Sequence, residues 1–267
     1  MAADPHALDD FTRAVESHLG RSRAVYRLGS GPAVLVISEV PGITPKVAEF
    51  GRRVAARGMT AVLPHLFGEP GVLPTAGSLA KTMGSVCISR EFTLFALKKT
   101  SPVTVWLRRL AASEHERCGG PGVGVVGMCL TGGFALAMMV DDTVVAPVLS
   151  QPSLPGPINA RHKADLGISD DDLARVKERV AAGTCVLGLR FTGDKASPPE
   201  RFERLRQELG DGFIGVELDS SESNPHGHRK GAHSVLTEDL DDRPGTPTRA
   251  ALDQVLDFFT ERLLPAS

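Results

Sequence analysis

Four cysteines stand among 267 residues, at positions 87, 118, 129 and 185, with no CxxC pair and no secreted-framework spacing. Disulfide stapling and a cysteine-built zinc site therefore have no support in the sequence. No apolar run approaches the roughly 20 residues that span a bilayer, so there is no transmembrane helix to place. An excess of charge is missing too: 30 Lys and Arg stand against 32 Asp and Glu, with the basic residues scattered. Nothing electrostatic draws such a chain to nucleic acid or to an anionic membrane. The opening MAADPHALDDFTRA is acidic and lacks the basic-then-apolar pattern of a secretory signal. These absences predict a reduced, cytoplasmic protein with free thiols, which makes the surroundings of each cysteine informative. No internal repeat or linker divides the chain, and a core of this size needs no staple. One domain over residues 1–267 is expected.

What the sequence has is alternation. Short apolar runs at 33–40, 59–67, 122–128, 144–149, 184–191 and 213–218 read as buried strands, and 23–28 as an edge strand. Between them, helical spacing marks 45–57, 101–117, 131–140, 169–181, 198–209 and 248–264, with part of 78–97. Residues 1–20 read as a polar lead-in with a short helix. Strands alternating with helices over the whole length predict an α/β fold, a mostly parallel doubly wound sheet flanked by helices.

The sharpest local feature is GVVGMCLTGG, Gly124 to Gly133. An apolar strand runs through small residues into one potential nucleophile, Cys129, and then into a helix, the setting of a nucleophile elbow. A helix start behind the sulfur favours thiolate. The plainer reading is that Cys129 is one more small buried hydrophobe. Hydrolases of this architecture order their triad as nucleophile, acid, histidine. Asp194 follows the strand VLGLRF, and His226, His228 and His233 all follow the next strand. Position alone does not choose among the three histidines.

The chain resembles the dienelactone hydrolase family, the cysteine-using branch of the α/β hydrolases. Ser38-Glu39-Val40-Pro41-Gly42 looks like the family's glutamate segment, Gly127-Met128-Cys129-Leu130 like its elbow, and Thr192-Gly193-Asp194 like its acid turn. Ala232-His233-Ser234 is similar to its histidine segment, which selects His233. The resemblance implies hydrolysis of a small ester or lactone by Cys129, His233 and Asp194 through a thioacyl-enzyme, with no cofactor and no metal. It also implies an oxyanion hole from the backbone N–H groups of Val40 and Leu130. Glu39 would hold the resting thiol and move when substrate arrives; the other reading of so buried a glutamate is an ion pair with an arginine. Pro41, His65 and Arg90 are candidate substrate contacts, although a lone helical arginine also suits a surface and His65 a structural role.

Three departures stand out. Thr131 occupies a position where the family often has glycine. Thr237 stands where members acting on dienelactone carry an arginine, which argues against dienelactone itself. Residues 151–183 and 219–232 read as insertions near the cleft.

Other readings have less behind them. Gly122, Gly124 and Gly127 spell GxGxxG, but they precede or occupy a strand instead of following it, so a dinucleotide site is not expected. His226-x-His228 lacks the companions of a metal site. The competing non-enzymatic reading is a binding or thiol-sensing protein on the same fold.

Overall fold

A computed structural model describes residues 4, 6–73, 101–154 and 159–264, with scattered positions between 75 and 84. Its strands are β1 Thr12–His18, β2 Arg21–Gly29, β3 Ala33–Ile37, β4 Thr60–Pro64, β5 Val123–Met128, β6 Val144–Ser150, β7 Val186–Phe191 and β8 Phe213–Leu218. They form one sheet in the order β1-β2-β4-β3-β5-β6-β7-β8. The β1–β2 and β2–β4 pairs are antiparallel and all the others parallel. The helices are α1 Pro45–Ala56, α2 Pro102–Cys118, α3 Gly132–Met138, α4 Ala160–Lys163, α5 Asp170–Ala181, α6 Pro199–Leu209 and α7 Pro247–Leu263.

Three of the helices begin the same way, with a hydroxyl residue followed by proline. Thr44, Ser101 and Thr246 each accept a first-turn N–H through the side chain, and the next residue is a proline with no N–H to satisfy. The central strand β3, AVLVI, is apolar throughout because both faces are covered. Leu35 and Ile37 of β3 pack into a cluster with Trp106 and Leu107 of α2, Phe134 of α3 and Phe202 of α6. Val34 and Val36 face the opposite cluster, with Val47 and Val54 of α1 and Val255 and Phe259 of α7.

The N-terminal expectation needs correction. Residues 12–18 are a strand instead of a helical lead-in, joined to β2 by the two-residue turn Leu19-Gly20, both at positive φ. One side of β1 faces solvent, so TRAVESH has no apolar pattern to betray it. The consequence is that β2 is an inner strand and not an edge. Its arginine content is misleading for the same reason: Arg27 is buried, held by Glu114 of α2 and Glu16 of β1.

From β3 the chain crosses to β4 on one side of the sheet, and from β5 to β6 on the other. The carboxyl ends of β3 and β5 are therefore adjacent at a topological switch point, where open α/β sheets leave a crevice. Glu39 follows the first of these ends and Cys129 the second.

Candidate active site

Cys129 sits at φ +55°, a conformation costly for a side-chain-bearing residue and typical of a strained strand-to-helix elbow. The turn is so tight that a Cβ on Gly127 would lie 2.1 Å from the Thr131 carbonyl oxygen. Residues 129–131 make a 3-10 turn before α3 begins at Gly132, so the helix is shorter than the expected 131–140. Thr131 is fully buried and is part of the turn's construction. Its hydroxyl accepts the Met128 N–H at 2.8 Å and is 2.9 Å from the carbonyls of both Ile37 and Met128. It thereby ties the elbow to the end of β3, which a glycine could not do. On the other side, the Ser153 N–H donates to the Cys129 carbonyl at 2.9 Å, and Gly132 packs so closely that a Cβ would meet Pro152 at 2.7 Å.

Asp194 lies in the turn after β7 and is buried. Its Oδ1 accepts the Ala196 N–H at 2.9 Å and its Oδ2 is 2.6 Å from His233 Nδ1. Two contacts close the acid turn onto the histidine loop. Ser220 Oγ accepts the Gly193 N–H at 2.9 Å, and a Cβ on Gly193 would meet the Lys230 carbonyl at 2.6 Å. With Nδ1 engaged by Asp194, Nε2 is the ring nitrogen left to meet Cys129. Burial alone would push the imidazole pKa down, but the bond to Asp194, then Cys129 and the charge of Asp194, push it up to about 11.

The histidine is also held from behind by a residue that sequence reasoning missed. Asp239 Oδ2 accepts the backbone N–H groups of His233 at 2.7 Å and Ser234 at 3.1 Å, while Arg229 grips both oxygens of that carboxylate. The other two histidines stand apart from the triad. His228 Nδ1 is 2.8 Å from the Asp219 carbonyl and its ring meets Phe191 edge-on, whereas His226 is exposed. Among the described residues no group of three His, Cys, Asp or Glu side chains is placed to hold a metal.

Glu39 is buried, and its partners are neither the thiol nor an arginine. Oε2 accepts from Ser234 Oγ at 2.7 Å and from Gln151 Nε2 at 3.2 Å, and Oε1 from the Thr237 hydroxyl. Burial raises its pKa, against the nearby His233 charge and these three donors. Gln151 is itself buried at φ +38°, and its side-chain oxygen also accepts from Ser150 Oγ. None of the three donors was singled out as a partner for Glu39. The usable signals were Gln151 directly after an apolar strand and the hydroxyls flanking His233 in AHSVLT.

The N–H groups of Val40 and Leu130 have no hydrogen-bond acceptor among the described residues. Pro41 is buried, its carbonyl so close to Gly68 that a Cβ there would lie 1.7 Å away. His65 Nε2 is 3.0 Å from the Gly68 carbonyl, so His65 braces the same loop. Arg90 and Cys87 lie outside the described residues. Cys118 and Cys185 are half-buried, and Cys185 precedes β7 instead of starting it.

The sequence pattern of the dienelactone hydrolase family matches residues 19–259. A Saccharomyces cerevisiae protein named as a candidate carboxymethylenebutenolidase is 26% identical over 194 residues. That match spans 70% of this chain and 66% of the yeast protein, just under two thirds of its length. Among solved structures, a candidate dienelactone hydrolase from Klebsiella pneumoniae superposes with a TM-score of 0.62 at 18% identity, covering 94% of this chain and 99% of its own. A dienelactone-hydrolase-like promiscuous phosphotriesterase from metagenomic libraries gives 0.61 at 17% identity, covering 95% and 98%. At these identities the structural likeness establishes the fold, the α/β-hydrolase architecture expected from the sequence.

Proposed function

Because the chain belongs to the dienelactone hydrolase family, we propose that it hydrolyses a small ester or lactone, with Cys129 as nucleophile, His233 as acid and base, and Asp194 as orienting carboxylate. The observation that carries this reading is His233, bonded to Asp194 at 2.6 Å and with Cys129 among the groups that raise its pKa. Sγ attacks the carbonyl carbon, and the oxygen takes up negative charge between the N–H groups of Val40 and Leu130. Losing one such donor typically costs about 3–4 kcal/mol of barrier. His233 gives its proton to the departing alkoxide, leaving a thioacyl-enzyme. It then takes a proton from water as hydroxide attacks the thioester, which releases the acid and restores the thiolate–imidazolium pair.

Glu39 takes a different part in this reading from the one the family resemblance implies. Its oxygens are occupied by Ser234, Gln151 and Thr237, so it brackets the histidine loop to the ends of β3 and β6 instead of holding the resting thiol. Thr237 is spent on Glu39 and offers no cation to a substrate carboxylate, so the proposed substrate is an ester or lactone other than dienelactone. A cytoplasmic location, which keeps the thiol reduced, belongs to the same reading.

The test is hydrolysis of a short-chain p-nitrophenyl ester and an unsaturated lactone by wild type, Cys129→Ala, His233→Ala and Cys185→Ala. Turnover is expected from wild type and Cys185→Ala, with a loss of about a thousandfold or more in the other two. Full turnover by Cys129→Ala overturns the assignment. A wild-type protein inert to both substrates, but rapidly alkylated at Cys129 near neutral pH, would favour a thiol-sensing role instead.

A further inference from the structure

Arg201 of α6 is only 2% exposed, yet among the described residues none of its hydrogen bonds ends on a carboxylate. Nε donates to the Asp165 carbonyl at 2.6 Å, Nη1 to those of Pro152 at 2.7 Å and Ala196 at 3.2 Å, and Nη2 to that of His162 at 3.3 Å. Burying a guanidinium without a hydrogen-bonded counter-ion is expensive. Here four backbone carbonyls take up its N–H groups, so the arginine works as a cross-link between the segments that carry them.

Its acceptors show which segments those are. Pro152 is the residue that packs against Gly132, and the next N–H, on Ser153, holds the Cys129 carbonyl. Ala196 is the residue whose N–H holds Asp194 Oδ1. One guanidinium thus ties the segment behind the nucleophile to the turn carrying the acid, and through Asp165 and His162 it ties both to the 159–165 stretch. Burial pushes Arg201 down to about 10, and the charges that oppose this are Asp165, Asp194, Cys129 and Glu200. Of these, Asp194 is bonded to His233, and Glu200 is paired with Lys163 at 3.3 Å.

We propose, on the footing of the thiol-hydrolase reading, that Arg201 is a positioning residue that keeps the Cys129 elbow and the Asp194 turn in register through Pro152 and Ala196. It touches no reacting atom.

The test compares wild type, Arg201→Lys and Arg201→Met, with kcat and KM measured on a p-nitrophenyl ester, melting temperature followed alongside, and Cys129→Ala as the blank. Arg201→Lys keeps a buried charge but not the fork, so kcat is expected to fall about tenfold while KM stays within about twofold. Arg201→Met is expected to lose at least as much. Wild-type kcat in Arg201→Lys overturns the positioning role, and if Arg201→Met does not fold the lysine variant still decides. A wild type whose turnover survives in Cys129→Ala overturns the nucleophile reading itself, and the role of Arg201 with it.

Discussion

Replacing Thr131 by valine changes the shape of the elbow hardly at all and removes one hydroxyl. That hydroxyl accepts the Met128 N–H at 2.8 Å and has one proton to give, with the carbonyls of Ile37 and Met128 each 2.9 Å away. The Met128 N–H then has no partner in a dry site, which costs about 1–3 kcal/mol, and the donated bond adds about 1 kcal/mol. Thr131→Val should therefore lose roughly 2–4 kcal/mol in urea unfolding with an unchanged m-value. The chemistry should suffer as well, since the contact with Ile37 fastens the turn carrying Cys129, which lies beyond the last ladder pair at Ile37 and Gly127, to the end of β3. A shift of about 1 Å there costs on the order of a hundredfold in kcat. Thr131→Ser keeps the hydroxyl and should recover most of both losses. A valine variant as stable and as active as wild type would show that the hydroxyl is incidental.

Two further perturbations address the brackets around His233. Glu39 has a pKa raised by burial, so its contribution to stability is fully present below the ordinary value of 4.5 and is lost as pH rises through the raised folded value. Glu39→Gln cannot ionise, so its melting temperature relative to wild type should climb between pH 5 and pH 8; parallel melting curves across that range would exclude the idea. Asp239→Ala removes the acceptor of the His233 and Ser234 N–H groups. It should lower kcat about ten- to a hundredfold with KM within about twofold, and an unchanged kcat would mean that the loop is held by Glu39 alone.

Strands covered on both faces read as apolar runs, and so β3 through β7 are legible, β7 despite its buried Arg190. Half-exposed β8 is legible from Phe213, Ile214, Val216 and Leu218, while β1, with one face in solvent and no apolar pattern, is not. The proposed trio Cys129, Asp194 and His233 could be named because chain order and strand ends narrow the choice, and in the structure Asp194 and His233 are bonded to one another. Its supports are not legible. Gln151 and Thr237 meet Glu39 across 112 and 198 residues of chain, and each is by itself an ordinary polar residue. That Glu39 would need a partner follows from the cost of burying it; that the partners would be hydroxyls and an amide, and not an arginine, depends on which loops meet there. Arg201 is similarly hidden, an arginine in a helix whose charged residues otherwise face water.

The short run Gln151-Pro152-Ser153 meets Glu39, the start of α3, the Cys129 carbonyl and the buried guanidinium within three residues. A substitution in that run is felt by several parts of the site at once, so it is a poor place from which selection or an engineer could adjust substrate range. Variation that alters what is bound without disturbing the rest has to come from positions that make few such contacts, and the exposed Ser223, Pro225 and His226 at the tip of the 219–232 loop are among them.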